Sequence, residues 1–210
     1  NEPELIKAFT EDADIHSRTA ALVNGINISD VTLEQRRSAK VVNFGIMYGA
    51  GPYRMSQELG ISMEESRQLI DHYFNTYPGI RRYMDETIEN ARKNGYVETL
   101  YKRRRRTGNL NASNKNLIQA EERAAINMPI QGTAADLIKF AMINIHKRMN
   151  SESYKSKMIL QIHDELLFEC PKAEIEDFAA MIQQEMESAV HLSVPLKVDW
   201  GYGESWYEAH

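Results

Sequence analysis

The stretch from Arg36 to Gly49 carries fixed cations and flat aromatic rings at strict helical spacing, and it constrains this chain more than any other. Thr32 with Gln35 three residues later is a capping-box start, and Gly49 followed by Gly51-Pro52 is a stop, so one helix is predicted between them. At about 100° per residue, Arg36, Lys40, Phe44 and Tyr48 advance by about 40° a step and share one stripe. Ala39, Val42 and Ile46 fall on the opposite side. An apolar back can therefore pack while the front offers two cations and then two rings. A triphosphate followed by a base needs partners in that order, cations for phosphate oxygens and a ring face for the base. An ordinary amphipathic helix with a solvated basic edge has the same spacing, and spacing alone leaves both readings open.

Around this helix the chain reads as a helical array followed by a hairpin. Helices are expected over 2–9 and 14–23, the second ending at an Asn24-Gly25 turn. Pro52 opens a short helix that Gly60 closes, and Ser62 with Glu65 forms a second capping box for a helix reaching about Thr76. Pro78 is expected to stop it, with a long helix over 80–94 capped by Gly95. Residues 96–101 are β-prone and lead into Lys102-Arg103-Arg104-Arg105-Arg106, where five successive cations repel one another. Such a run is a solvated loop or, beside a nucleotide-facing helix, a sequence-blind contact to a nucleic-acid backbone.

A helix over 116–128 is predicted to break at Pro129 before a longer one reaches about Met149. Arg123, Asn127 and Gln131 lie at steps of four across that break, a spacing that an exposed polar edge also produces. The period then changes to two. Residues 157–163 and 166–170 form two apolar runs with Asp164-Glu165 between them, which is a hairpin signal. Adjacent carboxylates at a turn are usually solvated. Between strands too apolar for a surface ribbon, their repulsion asks for a cation, and magnesium typically takes one or two protein carboxylates. An amphipathic helix is expected over 174–190 and a last strand over 195–200.

With 42% hydrophobic and 26% charged residues in 210, the chain can bury a core and form one or two compact units. The predicted class is α+β, mostly helical. No uncharged apolar run is long enough to span a bilayer, so no membrane partner is expected. Cys170 stands alone, which excludes an internal disulfide and suits a reducing cytoplasm. A net charge of -5 argues mildly against nucleic acid, although the cations are clustered and the acids dispersed. There is no internal repeat, zinc ligand set or Gly-Lys-Ser phosphate loop.

Three stretches, Arg36 to Gly49, Arg123 to Asp136 and Gln161 to Glu165, together resemble the motifs of family A DNA polymerases, the bacterial DNA polymerase I type. The resemblance covers essentially the whole chain. It implies a helical fingers subdomain over 1–115, and over 116–210 the C-terminal part of an antiparallel-sheet palm with a β-hairpin. It implies that His16, in Asp14-Ile15-His16, reaches a nucleotide phosphate together with Arg36 and Lys40, that Phe44 stacks near base and sugar, and that Tyr48 sits at the template slot. Arg123, Asn127 and Gln131 would touch the primer–template minor groove, where amides and guanidinium can meet acceptors common to all base pairs. Asp164 would ligate metal, Glu165 lie beside it as an accessory catalytic group, and His163 support the primer terminus.

The implied reaction is template-directed transfer of a deoxynucleotide to a primer 3′-hydroxyl, assisted by two Mg2+ ions. The implied partners are primer–template DNA, deoxynucleoside triphosphates and the remainder of the polymerase, in the cytoplasm with the nucleoid. The family's first aspartate motif, an Asp-Tyr-Ser-Gln-Ile-Glu-like run, has no counterpart here. The chain therefore reads as cut from something longer and as inactive alone, with an open apolar sheet edge. A single-subunit RNA polymerase shares much of the fingers pattern, but a small residue would follow its His-Asp pair where this chain has Glu165. The other alternative is a helical nucleic-acid-binding module without catalysis.

Overall fold

In the computed structural model, which describes residues 2–209, local capping explains most of the helix boundaries. Helices α1 (Pro3–Thr10) and α2 (Ile15–Asn24) lead through a short 3-10 turn to α3 (Leu33–Met47), α4 (Pro52–Leu59), α5 (Met63–Thr76) and α6 (Pro78–Asn94). Strands β1 (Tyr96–Glu98) and β2 (Arg104–Arg106) precede the 37-residue helix α7 (Lys115–Ser151). A second strand pair, β3 (Lys157–Ile162) and β4 (Glu165–Glu169), is followed by α8 (Ile175–Glu187) and the short α9 (Trp206–Ala209). Both capping boxes form as expected, Thr32 with Gln35 on α3 and Ser62 with Glu65 on α5. Gly25, Gly60 and Gly95 each close a helix in the left-handed conformation that a side chain disfavours.

The chain divides into two compact units, residues 1–132 and 133–210. In the first, Val42 and Ile46 of α3 pack with Met55, Tyr73, Tyr77 and Ile80, which are contributed by α4 to α6 and the junction before α6. Gly45 lets α4 approach, since a Cβ there would stand 2.7 Å from Met55 Sδ. A smaller core joins Ala91, Val97, Leu110 and Ala125. In the second unit, Ala141, Ile145 and Met149 of α7 pack with Phe178 and Met181 of α8, and Met158, Leu166 and Phe168 of the hairpin close over them. Phe168 meets Phe178 edge to face at 5.3 Å between centroids.

Several expectations need correction. Pro129 does not break α7, which runs through it without interruption. Proline removes one N–H and leaves the carbonyl four residues back without its donor. Here the Tyr83 hydroxyl donates to the Ile126 carbonyl at 2.8 Å, one residue past that vacant acceptor, and the turn is buried through Ala125 and Ile126. Helix α5 ends at Thr76 ahead of Pro78 as expected, but α6 begins at Pro78 rather than at 80, since a missing N–H costs nothing in a first turn. Residues 195–200 are not a strand: Val198 donates its N–H to Glu187 and accepts from the Gln183 amide, so α8 side chains take both groups that a sheet partner would use. The hairpin turns at His163 and Asp164, and Glu165 already pairs with Ile162 as the first residue of β4. The hairpin is also more exposed than its composition suggested. A register shift between Met158 and Leu160 disturbs the pairing, and Ile159 and Leu160 stand half exposed.

Candidate functional site

Helix α3 sorts its residues as the spacing predicts. Ala39, Val42, Asn43, Gly45 and Ile46 are buried, while Lys40, Phe44 and Tyr48 are exposed and Arg36 is half-buried. Phe44 and Tyr48 stack with centroids 6.1 Å apart and planes 16° apart. His16, in the first turn of α2, brings its ring to 5.6 Å from Phe44. Five predicted nucleotide-facing residues thus share one surface of the first unit, built from the start of α2 and the exposed stripe of α3.

Asp14 organises its basic end. As the N-cap of α2 it accepts the His16 N–H at 2.9 Å and the Ser17 N–H at 3.2 Å, and its second oxygen takes the Ser17 hydroxyl and the Arg36 guanidinium. Burial alone would raise the Asp14 carboxyl, but the Arg36 bond and the Ser17 and His16 donors outweigh it and hold the pKa at about 2. Burial, reinforced by Arg36 and Lys40, lowers the His16 pKa against the opposing pull of Asp14. The cationic stripe is therefore partly committed already: an anion arriving at Arg36 competes with Asp14.

A depressed carboxylate pKa contributes stability above its unfolded value, about 3.9, and that contribution is lost as pH falls toward the folded value. Asp14→Asn keeps a capping oxygen and removes the ion pair. Because the pair is partly exposed, the variant is expected to lose less than about 1 kcal/mol at pH 7. The gap from the parent should close between pH 4 and pH 2. Urea melts across that window check it, and a gap independent of pH would remove the ion pair as its source.

The second group of predicted residues lies on α7. Arg123 packs against the end of α3, since Gly49 has φ +73° and a Cβ built there would stand 2.9 Å from Arg123 Cγ. Arg123 and Gln131 are exposed, whereas the Asn127 Oδ1 is buried with no hydrogen-bond partner among the described residues. Gly132 leaves room for Thr99, just past β1, because a Cβ would meet Thr99 Cγ2 at 2.7 Å. The run of cations before Thr107 is neither a free loop nor free charge. Lys102 and Arg104 pair with Glu98, Arg105 pairs with the buried Glu121, and Arg103 donates to the Gly132 carbonyl. Pairing of Arg104–Arg106 with Tyr96–Glu98 makes the last three residues of the run a strand.

In the second unit, His163, Asp164 and Glu165 are all exposed at the tip of the β3–β4 hairpin. His163 adopts φ +51°, a left-handed conformation uncommon for a residue with a side chain, and one that histidine visits more readily than most. The Gln161 amide holds the tip by donating to the His163 carbonyl at 3.1 Å. Among the described residues no three His, Cys, Asp or Glu side chains gather into a metal-binding group, and no helix is long and apolar enough to cross a membrane. The sequence reading missed Asn43, Thr19 and Tyr77, which support His16 from inside. The available signal was Asn43 itself, a polar residue on the otherwise apolar back of α3.

The family model for DNA polymerase family A matches residues 1–208. Over 206 residues the chain is 50% identical to DNA polymerase I of Streptococcus pneumoniae serotype 4, covering 98% of this chain and 24% of that protein. DNA polymerase I of Deinococcus radiodurans is 48% identical over 208 residues, 99% of this chain and 22% of its own. Among solved structures, the POL domain of Pol1 from M. smegmatis, in complex with DNA primer-template and dNTP, superposes with a TM-score of 0.95 at 41% identity, covering 99% of this chain and 37% of that one. The chain spans about a quarter of the length of the curated relatives it matches.

Proposed function

Because the chain belongs to DNA polymerase family A, we propose that it forms the nucleotide-binding fingers and part of the catalytic palm of a template-directed DNA polymerase. The observation that carries this reading is the order Arg36, Lys40, Phe44, Tyr48 along one face of α3, with His16 beside Phe44. Arg36, Lys40 and His16 hold the triphosphate, Phe44 lies against base and sugar, and Tyr48 occupies the template slot. Arg123, Asn127 and Gln131 meet the minor groove of the primer–template, and His163 supports the primer end. The remaining polymerase chain is a partner in the same sense as the DNA, and the work is replication and repair synthesis in the cytoplasm, on the nucleoid.

Family A polymerases generally use divalent metal ions. Asp164 and Glu165 suit that requirement, being adjacent hard oxygen donors at an exposed, narrow tip. Two Mg2+ ions, when bound, supply Lewis-acid stabilisation to the attacking and leaving oxygens. Asp164 would be the ligand from this chain, with Glu165 beside it as an accessory group. Purified as 210 residues, the chain is expected to extend no primer in magnesium, whereas the full-length polymerase carrying it does. Extension by the short chain, abolished by Asp164→Ala, would mean that it holds a complete site and that this division of labour is wrong.

Phe44 gives a second handle on the reading. A tyrosine there would place a hydroxyl beside the sugar 3′ position, substituting for the group a dideoxynucleotide lacks. A hydrogen bond to a charged group contributes about 1.5–3 kcal/mol, so Phe44→Tyr in the full-length enzyme should raise relative use of dideoxynucleotides by about 10-fold to 150-fold. Competition between the two nucleotide types reads this directly, and unchanged discrimination would move Phe44 away from the sugar.

A further inference from the structure

Behind His16 runs a buried chain of polar groups that nucleotide contact does not explain. Tyr77 Oη lies 3.2 Å from Thr19 Oγ1, Thr19 Oγ1 lies 3.1 Å from Asn43 Oδ1, and Asn43 Nδ2 lies 3.0 Å from His16 Nδ1. Thr19 is 0% exposed, Tyr77 1% and Asn43 6%, so solvent does not complete their hydrogen bonds. The chain links α2 to α3 and to the α5–α6 junction, and Val42 and Ile46 of α3 already share an apolar core with Tyr77 at that junction.

The direction of this chain follows from its inner end. Among the described residues the Tyr77 hydroxyl has one hydrogen-bond partner, Thr19, and burial raises the phenol pKa, so it keeps its proton. A buried O–H with a single neighbour donates to it or goes unsatisfied, at about 1–3 kcal/mol. Tyr77 therefore donates to Thr19, Thr19 donates to the Asn43 oxygen, and the Asn43 amide presents its N–H to His16. The reverse chain would need a proton on His16 Nδ1 and would leave the Tyr77 proton without an acceptor. With Nδ1 accepting, a neutral imidazole carries its proton on Nε2.

We propose that Asn43, oriented by Thr19 and Tyr77, is a positioning residue that fixes His16 as the neutral Nε2–H tautomer, so that His16 meets an incoming triphosphate as a neutral donor while Arg36 and Lys40 supply the positive charge. This rests on the reading that His16 faces the nucleotide. The charged groups facing the ring are Asp14 from the turn before α2 and Arg36 and Lys40 from α3, with the Phe44 ring beside it. A proton added at Nδ1 would point at the Asn43 N–H, so the same bond that selects the tautomer also opposes the cation.

The test is a two-bond proton–nitrogen correlation spectrum of the full-length polymerase carrying this chain, with 15N-histidine, and His16 assigned by its loss in His16→Gln. The expected wild-type pattern is an unprotonated Nδ1 and a protonated Nε2, unchanged across neutral pH, with the Nε2 signal shifting when a nonhydrolysable deoxynucleoside triphosphate is added to the enzyme bound to primer–template. In Asn43→Asp, a carboxylate can accept from both Thr19 and His16, and the proton should move to Nδ1. Nucleotide affinity should then fall about tenfold at pH 8.5, the price of about one hydrogen bond to a charged partner, and recover as pH falls and the ring ionises. Tyr77→Phe, which preserves the core ring, should give a mixture of both tautomers. A wild-type Nδ1–H overturns the assignment, as does an Asn43→Asp spectrum that keeps Nε2–H. A wild-type Nε2–H that ignores added nucleotide keeps the tautomer but overturns the nucleotide-facing reading of His16, so the two failures are distinct.

Discussion

Replacing Asp164 with alanine in the full-length polymerase should lower single-turnover nucleotide incorporation by about 10³-fold or more while leaving primer–template affinity within about threefold. The magnitude follows from the several kcal/mol that metal stabilisation of transition-state charge supplies, at about 1.4 kcal/mol per factor of ten. The selectivity follows from position. Asp164 is an exposed residue at the tip of a two-stranded hairpin, and it contributes nothing to the core formed by Met158, Leu166 and Phe168 with α7 and α8. Loss of its carboxylate should therefore spare the fold and the DNA contacts assigned to Arg123 and Gln131. Rapid-quench measurement of incorporation, beside filter binding of DNA, separates the two. A comparable loss in DNA binding would mean that the Asp164 carboxylate itself serves to hold the DNA and that the metal is ligated elsewhere.

Lys40→Ala should lower the incorporation efficiency of a correct nucleotide by about 10-fold to 150-fold, from the 1.5–3 kcal/mol of a charge-assisted hydrogen bond, again without weakening primer–template binding. Lys40 has no ion pair among the described residues, in contrast to Arg36, whose guanidinium is already bonded to Asp14. An uncommitted ammonium gains its full interaction when the triphosphate arrives, whereas Arg36 must exchange one anion for another. Lys40 should thus be the more sensitive position, and the comparison with Arg36→Ala is part of the test. Equal losses in nucleotide and DNA affinity for Lys40→Ala would place it on the duplex rather than on the phosphates.

Features governed by neighbours in sequence were readable before the fold was known. The capping boxes at Thr32 and Ser62, the glycine stops, and the burial of Ala39, Val42 and Ile46 all depend on groups within one or two helical turns. Misreadings arose where a distant group decided the outcome. Pro129 stays helical with Tyr83 donating nearby from α6, and within 195–200 Val198 donates to Glu187 and accepts from Gln183. The run from Lys102 to Arg106 loses its apparent freedom to Glu98 and Glu121, one of which is buried and well separated in sequence. Asn43 went unnoticed for the same reason, because its partners Thr19 and His16 both come from α2, more than twenty residues earlier in the sequence.

Gly49 ends α3 at φ +73° with its α-carbon against the Arg123 stem. Any side chain at 49 meets two obstacles of different kinds, a left-handed backbone conformation that glycine takes freely and other residues take only under strain, and a methylene group of Arg123. A change at 123 can remove the second obstacle but never the first. Variation at this junction is therefore one-directional: position 123 can change while Gly49 stays, but position 49 cannot change first. A library that randomises both positions should recover many partners for Gly49 and almost no alternatives to it, which makes this corner of the molecule a ratchet on its own mutational history.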